Sequence, residues 1–289
     1  MPSVPLTYMS GAGNLFTVID DRTGVMLHES VTALCPLLVQ AGADRPWTTE
    51  GVLVVRHADA RGRLVVDFHN PDGSSSMMCG NGGRCAVRFA VDSGLIPKSV
   101  NRGVLHVAGT AYSYEVDGDD ISLTFGAPTT VRIDIGFACS DAMVRGAYVD
   151  VGSDHLVFEQ SAWEKAFGEW SLQRFLEVAP SLRSHPTLPR GANVNVYRSI
   201  APGVLRLTTF ERGVETVTNA CGTGALATSV VAWMTSGQTT SSWQCIPPSG
   251  EVLRCEVRCD HATTISALVL TGPARILAHG TFTLPEDAS

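Results

Sequence analysis

The chain carries one pattern twice, and this repeat constrains its fold more than any other feature. One copy runs Phe68-His-Asn-Pro-Asp-Gly-Ser-Ser-Ser-Met-Met-Cys79-Gly-Asn-Gly-Gly, the other Phe210-Glu-Arg-Gly-Val-Glu-Thr-Val-Thr-Asn-Ala-Cys221-Gly-Thr-Gly-Ala. Phe and Cys stand 11 residues apart in both, and the copies are offset by 142 residues. Apolar stretches follow, RCAVRFAVDSGL and ALATSVVAWMTSGQ, each ending at a glycine, Gly94 or Gly237, that suits a left-handed cap. Strand-like runs come next: VLHVAG, YSYEV and ISLTF in the first half, WQCI, EVLRCEV and ISALVL in the second. The halves close on FGAP at 125–128 and TGPA at 271–274.

A helix that is apolar on nearly all sides must be buried, and strands wrapped around it would bury it. The expectation is therefore an α+β chain of two similar, duplicated domains, each a mixed β-sheet around a central helix. A length of 289 residues suits two cores. The domains are drawn at 1–128 and 129–274, with a C-terminal strand at 275–289 returning to the first. Residues 161–190 read as a helical insertion peculiar to the second half, ending near Pro180.

Bulk composition removes several function classes. A net charge of -7 supplies no basic face for nucleic acid and disfavours an anionic membrane surface. MPSVPLTYMS lacks the pattern of a secretory signal, and no window of about 18 apolar residues exists. A cytoplasmic chain with free thiols is the expectation for its eight cysteines. Its only lysines, Lys98 and Lys165, lie outside any motif, which argues against pyridoxal phosphate. Cys255 and Cys259 are four residues apart but have no second pair, so no metal is expected. Cys35, Cys85, Cys139 and Cys245 read as packing. No cofactor of any kind is expected.

Strand, turn, Cys-Gly-x-Gly, helix is a unit with a chemical meaning. The glycines permit a tight turn and close approach of a ligand. The helix N-terminus offers unpaired N–H groups and partial positive charge, which suit a carboxylate and lower a thiol pKa. If the two halves face each other, Cys79 and Cys221 flank one ligand. Removing a proton from one face of a carbon and delivering one to the other asks for such an arrangement, with one thiolate and one thiol. An amino-acid α-proton is very weakly acidic, so its carboxylate must be held by aligned dipoles in a dry site.

These motifs, CGNGGRC and ERGVE…ACGTG, together with GAGN near the start and TGPA near the end, resemble diaminopimelate epimerase. The resemblance covers nearly the whole chain. It implies paired domains, each a barrel-like sheet around a central helix, with the active site in the interdomain cleft. It implies interconversion of LL- and meso-2,6-diaminoheptanedioate in lysine and cell-wall precursor synthesis, without metal or pyridoxal phosphate, in a homodimer. By the same resemblance Cys79 and Cys221 are the base and acid pair. Gly80, Asn81, Gly222 and Thr223 hold the reacting α-carboxylate and its surroundings. Asn14, Asn70 and Asn193 contact the amino-acid substrate. Arg212 pairs with its distal carboxylate, Glu211 meets an ammonium group and tunes a thiol, and His155 lies near the thiols.

The chain departs from the family pattern at three places. It has Leu15 after Asn14 where the family often has Asp, Thr49-Glu50-Gly51 where it has an Asp-Gly or Asp-Gln pair, and Ser153-Asp154 where it has Asn-Pro. Ser153 retains a hydrogen-bonding group at a substrate-binding position. Two other functions use the same thiols. One is a racemase of the same fold acting on proline, hydroxyproline or histidine, against which the Glu211-Arg212 pair argues. The other is a thiol redox protein, which would work through a Cys79–Cys221 disulfide.

Overall fold

The computed structural model describes residues 3–24, 26, 28–40, 46–75, 79–139, 141–260 and 264–284. The chain divides into two compact units, residues 1–123 with 272–289 and residues 124–271. The sequence expectation drew the first boundary after Pro128. The two units change over between Leu123 and Thr124, within a strand that runs to Gly126. Of the segment 275–289, the part beyond residue 284 lies outside the described residues.

The first unit holds β1 (Ser3–Gly11), β2 (Asn14–Asp20), α1 (His28–Leu38), β3 (Val52–Ala58), β4 (Arg63–His69), α2 (Gly80–Asp92), β5 (Arg102–Val107), β6 (Thr110–Asp117) and most of β7 (Asp120–Gly126). The second holds β8 (Thr130–Cys139), β9 (Ala142–Asp150), β10 (Asp154–Glu159), α3 (Gln160–Phe167), α4 (Leu172–Arg183), β11 (Asn193–Ala201), β12 (Val204–Glu211), β13 (Thr216–Val217), α5 (Gly222–Thr235), β14 (Ser242–Ile246) and β15 (Leu253–Asp260). The last strand, β16 (Thr264–Thr283), pairs with β15 through Thr271 and with β1 from Ala274 onward.

In the first unit the strands follow in order from β1 to β7, then β16, which pairs back to β1 and closes a ring of eight. Pairing from β1 to β6 is antiparallel, parallel, antiparallel, parallel, antiparallel. Pairing through β9, β10, β11, β12, β14 and β15 has the same order of senses. Each parallel step needs a crossover, and helices supply it. α2 connects β4 to β5 and packs against β1–β4, while α5 leads into β14 and packs against β9–β11, β14 and β15.

Both central helices are buried along nearly their whole length. In α2 only Arg88 and Asp92 escape burial, and in α5 only Thr223, Met234 and Thr235. Their small residues let the strands approach on every side. Gly94 and Gly237 past their ends take φ of 69° and 70°, the left-handed conformation that glycine adopts without strain.

The segment 161–190 departs from expectation in two ways. It is not peculiar to the second half in kind, because α1 occupies the corresponding crossover between β2 and β3. Nor does the helix stop at Pro180: α4 runs through it to Arg183. Leu182, Ala179, Val178 and Phe175 anchor that last turn in a core built on Trp163, whose ring lies 5.3 Å from that of Phe175. This burial outweighs the single backbone bond that proline removes.

Candidate active site

In the first unit the GAGN sequence forms a tight hairpin. Ala12 and Gly13 have φ of 55° and 95°, and Gly11 pairs with Asn14 across the turn. This two-residue turn suits the twist of the strands that it joins. Gly11 lies against the start of α2 so closely that a Cβ would stand 2.6 Å from the Asn81 carbonyl oxygen. The hairpin and the helix N-terminus are thus one construction, with Asn14 buried in it.

Cys79 is the N-cap of α2, with extended φ and ψ of -98° and 115°, and its carbonyl accepts the Gly83 N–H at 2.8 Å. Its thiol is half-buried. One turn on, the fully buried Arg84 donates to the Gly80 carbonyl at 3.3 Å and to Asn81 Oδ1 at 2.7 Å. This arginine fixes the Asn81 side chain, and no sequence argument had singled it out. The helix also carries Arg88 and Asp92, so sequence alone did not mark which of its charges would be buried. Asn70 braces its own turn, with Nδ2 donating to Ser74 Oγ at 2.9 Å. Glu50 is half-buried, and its charge is felt at Cys85 alongside that of Cys79.

In the second unit Cys221 is the N-cap of α5 and, unlike Cys79, caps with its side chain. Its Sγ accepts the Gly224 N–H at 3.4 Å and lies 3.6 Å from Thr223 Oγ1. An N–H aimed at sulfur favours thiolate. The Glu211 carboxyl hydrogen-bonds Thr218 Oγ1 at 3.0 Å and also the Cys221 thiol. Burial pushes Glu211 above the ordinary carboxylate range, and these two bonds oppose that rise. A carboxyl raised this way next to a thiol can share a proton with it.

His155 is fully buried, and desolvation pushes its pKa down to about 3. Polar side chains meet both of its ring nitrogens. Asn195 Nδ2 donates to the Leu156 carbonyl at 2.8 Å and faces His155 Nδ1 at 3.1 Å, while Asn195 Oδ1 accepts from Thr209 at 2.8 Å. Ser153 Oγ lies 2.9 Å from Nε2, and Asn193 Nδ2 lies 3.4 Å from the same nitrogen. This imidazole stays neutral at working pH. In this state the ring can exchange hydrogen bonds with the Ser153 hydroxyl and the asparagine amides around it.

Asn193 sits beside His155 in the β10–β11 register and ties three strands together. Its Nδ2 donates to the Asp154 carbonyl at 3.2 Å, and its Oδ1 accepts the Arg212 N–H at 2.8 Å. Arg212 Nη1 donates to the carbonyls of Arg190 at 2.7 Å and Gly191 at 3.3 Å, and to Asp154 Oδ2 at 3.4 Å. Within this unit Ser153, His155, Asn193, Glu211, Arg212, Cys221, Gly222 and Thr223 thus gather where β10–β12 meet the start of α5. In the first unit Asn14 lies in the hairpin that packs on the start of α2, where Cys79 is the N-cap and Gly80 and Asn81 open the helix. Among the described residues no three His, Cys, Asp or Glu side chains are placed to hold a metal ion, and no helix is long and apolar enough to cross a membrane.

The fold defines the class. A hydroxyproline epimerase from Agrobacterium vitis superposes with a TM-score of 0.70 at 16% identity, covering 98% of this chain and 91% of its own. A probable proline racemase from Agrobacterium radiobacter gives 0.66 at 15% identity, covering 98% and 93%. A phenazine biosynthesis PhzF-family protein from Enterococcus faecalis gives 0.64 at 15%, covering 98% and 100%. At such identities the likeness is one of fold. Sequence narrows it further. The family model described as diaminopimelate epimerase matches residues 6–131. The diaminopimelate epimerase of Chlorobaculum tepidum is 33% identical over 283 residues, spanning 96% of this chain and 100% of that protein. The diaminopimelate epimerase of Aquifex aeolicus is 30% identical over 281 residues, spanning 91% and 92%. The chain belongs to the diaminopimelate epimerase family.

Proposed function

We propose that the chain is an isomerase that interconverts LL- and meso-2,6-diaminoheptanedioate by two-base proton transfer, serving lysine and cell-wall precursor synthesis in the cytoplasm without a cofactor. The observation that carries this reading is the placement of Cys79 and Cys221, each at the N-cap of the buried helix of its own unit. One sulfur, as thiolate, takes the α-proton. The other, as thiol, delivers a proton to the opposite face, so charge and protons balance and the roles exchange with direction. The α-carboxylate, on which negative charge develops, is held by first-turn N–H groups such as those of Gly222 and Thr223. Glu211 tunes Cys221 through their hydrogen bond. Arg212 takes the distal carboxylate, where a guanidinium offers two parallel donors.

The test is α-deuterium uptake and stereoisomer interconversion in heavy water. LL-diaminopimelate is expected to exchange and epimerise, while proline, hydroxyproline and histidine are not. Cys79→Ala and Cys221→Ala should each abolish epimerisation, and each Cys→Ser should lower kcat by about 10²–10⁴-fold. Full rate in either alanine variant overturns the two-thiol mechanism.

A further inference from the structure

Asp154 stands where the family often has proline, and its carboxylate is the centre of a buried polar cluster. Only 5% of the residue is exposed. Tyr148 Oη donates to Oδ1, and Arg190 Nη2 donates to the same oxygen at 2.9 Å. Arg212 Nη1 reaches Oδ2 at 3.4 Å. Burial works to protonate the carboxyl, but Tyr148, Arg190 and Arg212 outweigh it and hold Asp154 below the usual carboxylate range. It is an ionised acid between two guanidinium groups.

This acid acts on Arg212 by two routes. It touches Nη1 directly, and it holds the side chain of Arg190, whose own carbonyl accepts Nη1 at 2.7 Å. The Gly191 carbonyl completes the set at 3.3 Å. All three acceptors lie on Nη1, whereas the Nε–H and Nη2–H donors have no partner among the described residues, and the side chain is 30% exposed. Those two donors form the side-on edge of the fork, which matches the two oxygens of a carboxylate.

We propose that Asp154 is a positioning residue for Arg212: it pins the Nη1 end of the guanidinium and so presents the Nε–Nη2 edge to the distal carboxylate of the substrate. The inference rests on the diaminopimelate reading and adds a specificity determinant to it. Asp154 touches no reacting atom, so removing its charge should weaken binding and spare the chemical step.

The experiment measures kcat and KM for LL-diaminopimelate with the full chain and the variants Asp154→Asn, Arg212→Ala and their double. Asp154→Asn should raise KM about tenfold with kcat changed less than about threefold. In the Arg212→Ala background the same substitution should raise KM no further, because the group it positions is gone. An unchanged KM, a fall confined to kcat, or a KM effect that persists without Arg212 overturns the positioning role. Should Asp154→Asn fail to fold, Tyr148→Phe carries the test with a KM rise of about two- to threefold that Arg212→Ala likewise abolishes. Absence of turnover by the unaltered chain overturns the function reading itself, and this inference with it, whereas turnover with an insensitive KM overturns the inference alone.

Discussion

His155 shows how burial sets the charge state of a residue that sequence marks as functional. A histidine that the family resemblance sets near the thiols invites the role of acid or base, yet the ring is buried among Asn193, Asn195 and Ser153 and keeps its neutral form. The sign of its pH effect follows. The unfolded chain binds the proton near pH 6.5, while the folded chain resists down to about 3. Stability should therefore fall as pH drops below about 6.5, by about 2 kcal/mol at pH 5 from this residue alone, with no further change below about 3. Denaturant unfolding between pH 7 and 5 measures the slope, and His155→Gln should flatten it. An unaltered slope would mean that the ring is not buried neutral. Asn195 teaches a related point. GANVN places its two asparagines two residues apart, hence on one face of a strand, and reading Asn193 should have brought Asn195 with it. The strand register then sets Thr209 opposite Asn195.

At the scale of elements, the Cys-Gly-x-Gly turn works because backbone and side chains crowd together at the helix start. A Cβ on Gly224 would stand 2.5 Å from Asn195 Oδ1, 3.0 Å from Thr209 Oγ1 and 3.2 Å from Cys221 Sγ. Gly224→Ala should therefore push the thiol and the Asn195 bridge apart. We expect a loss of about 1–3 kcal/mol in stability and a fall in kcat larger than any change in KM. Thermal unfolding and steady-state kinetics check both, and a variant that keeps its rate would show the turn to be slack. The glycines, the apolar helices and most strands were legible in the sequence, because spacing and hydrophobic pattern report local structure directly. The continuation of α4 past Pro180 was not, because the core that outweighs the proline is assembled from Trp163, Phe175 and strands remote in sequence.

On the scale of the whole molecule, β16 serves both units in turn. Its first part pairs with β15, and its last part, from Ala274, closes the ring of the first unit against β1. Ending the chain at Thr271 should leave β1 and β7 as open edges. Hydrogen exchange should then show lost protection in β1 and β2 with β9–β12 still protected, and retained protection in β1 would contradict this account. By itself the sequence determined that there is a repeat, that each copy sets a cysteine before a buried helix, and which family the motifs belong to. Those properties reside in spacing, which survives without coordinates. Only the tertiary structure decided that Asp154 meets Arg212 and Arg190, that Glu211 bonds Cys221, and that His155 is neutral. Each depends on desolvation and on contacts between residues from ten to 58 positions apart, and neither is written in local sequence.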